Sequence, residues 1–182
     1  MRGRLFMERM LGWVMSSSGL GSAKTSSGIS GVSEPSLGGC GLPYRMTVEC
    51  ASAPCGAFSG KSVEVIHQGP TLTGDPANPN SWVGIGQSVT VCGMDLILTG
   101  VVVCNYANGG PNHVLFYLNL AYQLPNGEWV GCMSVEAIGD ITNDPIFLEL
   151  PGDFYKEPGN LCEGCQECGN SFGSGWTLRL TE

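Results

Sequence analysis

Charge is what this chain has least of. Asp, Glu, Lys and Arg together make up 13% of its 182 residues, about half the share usual in a soluble domain. Basic residues are scarcest, eight against sixteen acids, for a net charge of −8. A surface of that sign repels phosphate backbones and anionic headgroups, which argues against nucleic acid as a partner. Histidine occurs only at His67 and His113, and the chain contains no H-E-x-x-H, phosphate-binding glycine loop or C-x-x-C-H; its one G-x-S-x-G match, Gly169-Asn170-Ser171-Phe172-Gly173, falls in a cysteine-rich stretch. Zinc-peptidase, nucleotide-binding and haem-attachment readings therefore lose the motifs that would carry them. No stretch approaches the ~20 uninterrupted apolar residues of a membrane span. Glu8 and Arg9 interrupt the apolar run from Leu5 to Met15 and no small-x-small cleavage site follows it cleanly, so a secretory signal is not the expected reading of the N-terminus.

Glycine, proline and cysteine are plentiful: 28, 11 and nine residues. Glycine and proline in these amounts, with abundant Leu, Ile and Val, describe a turn-rich β chain, and the length suits one main domain with a proper core. Nine cysteines point to an oxidising location or a metal site, because unused reduced thiols are a chemical liability. An odd number also leaves at least one outside any set of intramolecular bridges.

The chain divides into three parts. Residues 1–15 place Phe6, Met10, Trp13 and Val14 at helical spacing, the pattern of an amphipathic helix. Residues 16–39 hold nine Ser and six Gly in 24 positions, too little apolar content to fold alone, and read as an extended arm or linker. From residue 40 to residue 182 the period changes to two. Tyr44, Met46, Val48 and Cys50 share one face of a strand while Arg45, Thr47 and Glu49 share the other. Strands are expected over 44–50, 62–67, 87–92, 95–104, 113–124, 129–136, 146–150 and 175–181, with loops over 71–81 and 105–112; no helix is required in the body, although 153–156 could make one turn. The Asn126-Gly127 pair marks a tight hairpin. About eight strands at these intervals predict an all-β antiparallel body, a β-sandwich or jelly roll, behind an extended N-terminal arm.

The sharpest motif is Cys162, Cys165 and Cys168, three cysteines in seven residues, within a Cys-rich excursion over 151–173. Two readings compete. The three thiolates can converge on a structural zinc, with a fourth ligand from Cys40, Cys55, His67 or His113. Alternatively they reach outward to different partners as disulfides. An iron–sulfur cluster is disfavoured, since the bacterial C-x2-C-x2-C run continues with a fourth Cys and a Pro, where this chain has Gly169-Asn170-Ser171-Phe172. Cys92, Cys104 and Cys132 fall on expected strands, where small apolar core positions are the favoured reading. Trp82, Tyr106 and Trp129 lie beside loops and are candidates for a surface that binds glycans, with core packing as the commoner alternative.

The layout resembles a group of small cysteine-rich β proteins encoded among virion genes of phage-like elements. The resemblance rests on the Ser/Gly-rich head, Cys40-Gly41-Leu42-Pro43 opening an alternating strand, Cys50 and Cys55 around a turn, and the closing strand from Trp176. It implies a non-enzymatic, repeated structural part of a particle, such as a decoration, neck, tail or fibre-like component. Such a subunit meets copies of itself and other assembly proteins through residues 1–39, in a virion or extracellular particle. A secreted carbohydrate-binding module is the alternative, and a cysteine- or metal-dependent enzyme a more distant one.

Overall fold

In the computed structural model, residues 41–53, 55–69, 81–104, 106, 110, 112–141, 146–169 and 173–182 are described. They contain eight antiparallel strands: β1 (Arg45–Ser52), β2 (Ser62–Gly69), β3 (Ser81–Val91), β4 (Met94–Cys104), β5 (His113–Gln123), β6 (Trp129–Asp140), β7 (Phe147–Lys156) and β8 (Gly173–Thr181). Each pairs with its neighbour in sequence, and β8 pairs back onto β1 from Thr47↔Thr181 to Ser52↔Thr177. The all-β antiparallel class therefore stands, but the strands form one closed up-and-down barrel and not the two stacked sheets of a sandwich or jelly roll. Closure satisfies the backbone groups that the first and last strands would otherwise leave unpaired as sheet edges. The helix expected over 1–15, the arm over 16–39 and nearly all of the loop over 71–81 lie outside the described residues.

Period-two alternation fills the interior. Val48, Val65, Leu98, Val102, Phe116, Leu118, Val135, Phe154, Leu178 and Leu180 point inward from seven staves and are at most 2% exposed. The outer side of β1, β2, β7 and β8 carries charge instead, with Arg45 3.0 Å from Glu64 and Arg179 Nε 2.7 Å from Glu149 Oε1. On these four strands the apolar side faces in and the charged side out, the reverse of a membrane-spanning barrel. No described helix is long and apolar enough to cross a membrane.

Both ends are plugged. At one, Phe58, Phe154 and Trp176 form an aromatic cluster with ring centroids 5.0–6.3 Å apart. At the other, the fully buried Trp82 packs with its ring centroid 4.9 Å from that of His67, the planes tilted by 58°, and donates its indole N–H to the Pro43 carbonyl at 2.9 Å.

The departures from sequence expectation have local causes. Strand β3 starts at Ser81, ahead of the expected residue 87, because inward-facing Gly84 and Gly86 erase the apolar alternation there. Val63 packs where their side chains would be, and a Cβ on Gly84 would lie 1.9 Å from the Glu64 carbonyl oxygen. A register shift between Ile85 and Ser88 bends the strand at this point, the glycine-and-bulge device by which small barrels curve. The β3–β4 connection is the two-residue turn Cys92-Gly93, with φ values of 49° and 73°, the pair of positive angles that a type I′ hairpin needs. The β5–β6 hairpin forms where Asn126-Gly127 predicts it. Gly127 takes φ 87°, and Asn126 Oδ1 accepts from the Glu128 N–H at 3.0 Å. Residues 153–156 continue β7 as strand and make no helical turn. Pro151 is tolerated because the β6–β7 ladder runs only from Gly152 to Lys156, which leaves the proline just beyond its end.

Candidate functional site

The Cys-rich segment that follows β7 closes the barrel at the Phe58 end. Its backbone is a chain of tight turns: Glu163 N–H donates to the Asn160 carbonyl at 3.1 Å, Cys165 to Cys162 at 3.0 Å and Gly169 to Gln166 at 3.1 Å. Asn160 organises the first of them, accepting from Cys162 N–H at 2.9 Å and donating to the Gly131 carbonyl at 2.7 Å. Successive turns aim the three cysteines at three different parts of the body. Cys162 bonds Cys132 on β6, Cys165 bonds Cys92 in the β3–β4 turn, and Cys168 bonds Cys55 in the β1–β2 connection. The paired Cα atoms lie 5.5, 5.7 and 4.6 Å apart, within the span a bridge allows. Lys156, at 7% exposure, donates from Nζ to the Cys165 and Gly169 carbonyls. Glu167 accepts from the Cys92 N–H at 2.8 Å. The ammonium thus satisfies carbonyls that the turns leave over, and burial of a lysine is offset by those charge-assisted bonds.

This arrangement corrects the zinc reading of Cys162, Cys165 and Cys168. A disulfide sulfur carries no thiolate charge and makes no structural zinc ligand. Cys92, Cys165 and Glu167 do bring a sulfur or carboxylate oxygen within 4.8 Å of one another, but both sulfurs are already bonded. Cys104 and Cys132 do lie buried in the core, as expected, whereas Cys92 is exposed in a turn, and all three are disulfide-bonded. The three bridges between described residues place the chain in an oxidising environment. Cys50 is the free thiol among the described residues. Burial pushes it up to about 11, so at neutral pH it is a protonated core residue and no nucleophile.

A second cluster lies outside the barrel on β5–β7. Glu136 stands directly opposite Tyr117 on β5 and Asp153 on β7. Burial, and then the neighbouring Asp153 carboxylate, hold the Glu136 carboxyl above its ordinary range. Burial and then the Glu136 charge push the Tyr106 and Tyr117 hydroxyls up, and Tyr155 moves the same way. A raised carboxyl beside a second carboxylate can share or hold a proton, and it attracts cations. Such a pair has no pattern in the sequence, because Glu136 and Asp153 meet only through strand register.

The three candidate binding aromatics separate. Trp82 is at 0% exposure inside the barrel and offers no surface; strand alternation carries its ring inward, opposite Val102 on β4. Tyr106 and Trp129 are partly buried, and both pack against an outer apolar cluster of Val83, Val101, Val103, Leu115 and Tyr117. Of the histidines, His113 Nδ1 lies 2.9 Å from Asp140 Oδ1 across β5–β6, and His67 packs between Tyr44 and Trp82. No protein-family model matches the chain, and neither a curated protein nor a solved structure is significantly similar to it.

Proposed function

We propose that the chain is a non-enzymatic structural subunit of a larger assembly, a virion decoration, neck, tail or fibre-like component joined to its neighbours through residues 1–39. The observation that supports this reading most is the filled, stapled barrel. Side chains from every stave occupy the interior, aromatic clusters plug both ends, and three bridges tie down the segment that covers one of them. A body built this way is rigid and durable, and its interactions are made on the outside. A Ser/Gly-rich tether suits a unit that must reach a neighbour.

The test compares the full chain with a chain lacking residues 1–39 by sedimentation and circular dichroism. The full chain is expected to assemble and the shortened one to stay folded but monomeric. Equal assembly by both, or an unfolded shortened chain, contradicts the proposal. The glycan-binding alternative retains Tyr106 and Trp129, which share one outer face. Binding on a glycan array that disappears with Trp129→Ala would favour it over the structural reading.

A further inference from the structure

The outer side of β3–β5 is covered, although every described strand is itself a barrel stave. Val101, Val103, Leu115 and Tyr117 alternate away from the interior and yet are only 1–3% exposed. Thr99 and Asn119, paired across β4–β5 on the same side, are each at 1%. The described apolar side chains that pack there, besides the cluster itself, are Ile97, Tyr106 and Trp129. All three belong to the staves or to the connection after β4. Two buried polar atoms on this face, Ser81 Oγ and Asn119 Nδ2, have no hydrogen-bond partner. Buried donors are nearly always satisfied, so the face suits an occupant that brings both apolar side chains and polar groups. Along its β6–β7 side run the Glu136 and Asp153 carboxylates.

We propose that this face is the seat of the chain's own N-terminal segment, residues 5–14. Phe6, Met10, Trp13 and Val14 supply an apolar stripe at helical spacing, and Arg2, Arg4 and Arg9 supply cations for the Glu136–Asp153 side. Arg2, Arg4, Arg9 and Lys24 are four of only eight basic residues. Among the others, Lys156 is engaged by the cap carbonyls, Arg45 by Glu64 and Arg179 by Glu149. Connectivity favours the same chain. The described backbone begins at the end of the barrel where β3 starts, its Pro43 carbonyl accepting from the Trp82 indole N–H. The 24 residues of the linker, at up to ~3.3 Å each, outreach a stave of 11 residues, which is ~37 Å long. The inference competes with the assembly reading for residues 5–14, since a segment seated on its own barrel cannot also join a neighbour, and it leaves residues 16–39 for that contact.

The test uses the full chain with Trp13 replaced by p-benzoylphenylalanine, irradiated as a mixture of unlabelled and nitrogen-15-labelled molecules and mapped by mass spectrometry. Cross-links within one chain from position 13 to residues 97–103 or 115–121 are expected, with a yield several-fold lower in Arg9→Glu. Cross-links to the same residues of a different chain would overturn the proposal, since the occupant would then be a second copy. Cross-links to β1, β7 or β8, or none from a folded chain, would overturn it too. Loss of assembly is read separately by sedimentation, so either reading can fail alone.

Discussion

At Gly84 the barrel leaves no room for a side chain. The nearest obstacle is the backbone oxygen of Glu64, which no rotamer change can move, so Gly84→Ala is expected to cost about 3 kcal/mol or more. Gly56→Ala is the control: an added carbon there meets nothing within 4 Å, and stability should change by less than about 1 kcal/mol. Denaturant midpoints of the two variants decide it. Glu136 carries the clearest pH dependence. Its carboxyl is raised in the folded chain, so the folded state binds more protons than the unfolded one between the ordinary carboxylate range and the raised value. Stability therefore falls as pH rises through that window. Glu136→Gln should flatten that slope and stabilise the chain at neutral pH, as thermal melts from about pH 4 to about pH 8 would show; an unchanged slope contradicts the assignment. Single residues were legible in the sequence where chemistry is local. Asn126-Gly127 announced its turn, whereas Gly84 and Gly86 hid a strand because the atoms that exclude their side chains belong to β2 and β4.

The cap is the element on which the cysteine pattern bears. Three cysteines at three-residue spacing identify a cross-linked segment, but whether the sulfurs converge or diverge depends on where Cys55, Cys92 and Cys132 lie, and they sit in three elements 30–113 residues away. Spacing alone could not separate zinc from disulfides for that reason. The bridges share one short segment, so they are not independent. While any two remain, the third closes only a small additional loop. Removing a single pair, for example with Cys132→Ala and Cys162→Ala together, is expected to cost about 1–3 kcal/mol, and removing the last remaining bridge about 4–5 kcal/mol. Equal, additive losses would show that the cap does not act as a unit. Replacing Cys162, Cys165 and Cys168 together by Ser should free the cap but leave a barrel of lower stability, because the strand ladders do not pass through it.

At the scale of the whole molecule, eight strands and their alternation follow from period-two patterning, while closure does not. Pairing of β1 with β8 joins residues more than 120 positions apart, and no local pattern distinguishes a sheet that closes on itself from one that folds over into two layers. Inward glycines at 84, 86, 100 and 152 are the nearest thing to a signal, since a tightly curved wall needs them where strands approach. The result is a solid barrel with a covalently fastened end, an acidic surface and one covered outer face. Such a body favours a part in an assembly over a binding cavity. Its most direct test is peptide mapping of the unreduced, denatured chain after alkylation, with metal analysis of the native protein alongside. The account predicts linked peptides joining Cys55 to Cys168, Cys92 to Cys165 and Cys132 to Cys162, alkylation of Cys50 and no stoichiometric zinc. One bound zinc per chain, with Cys162, Cys165 and Cys168 all alkylated, would contradict it.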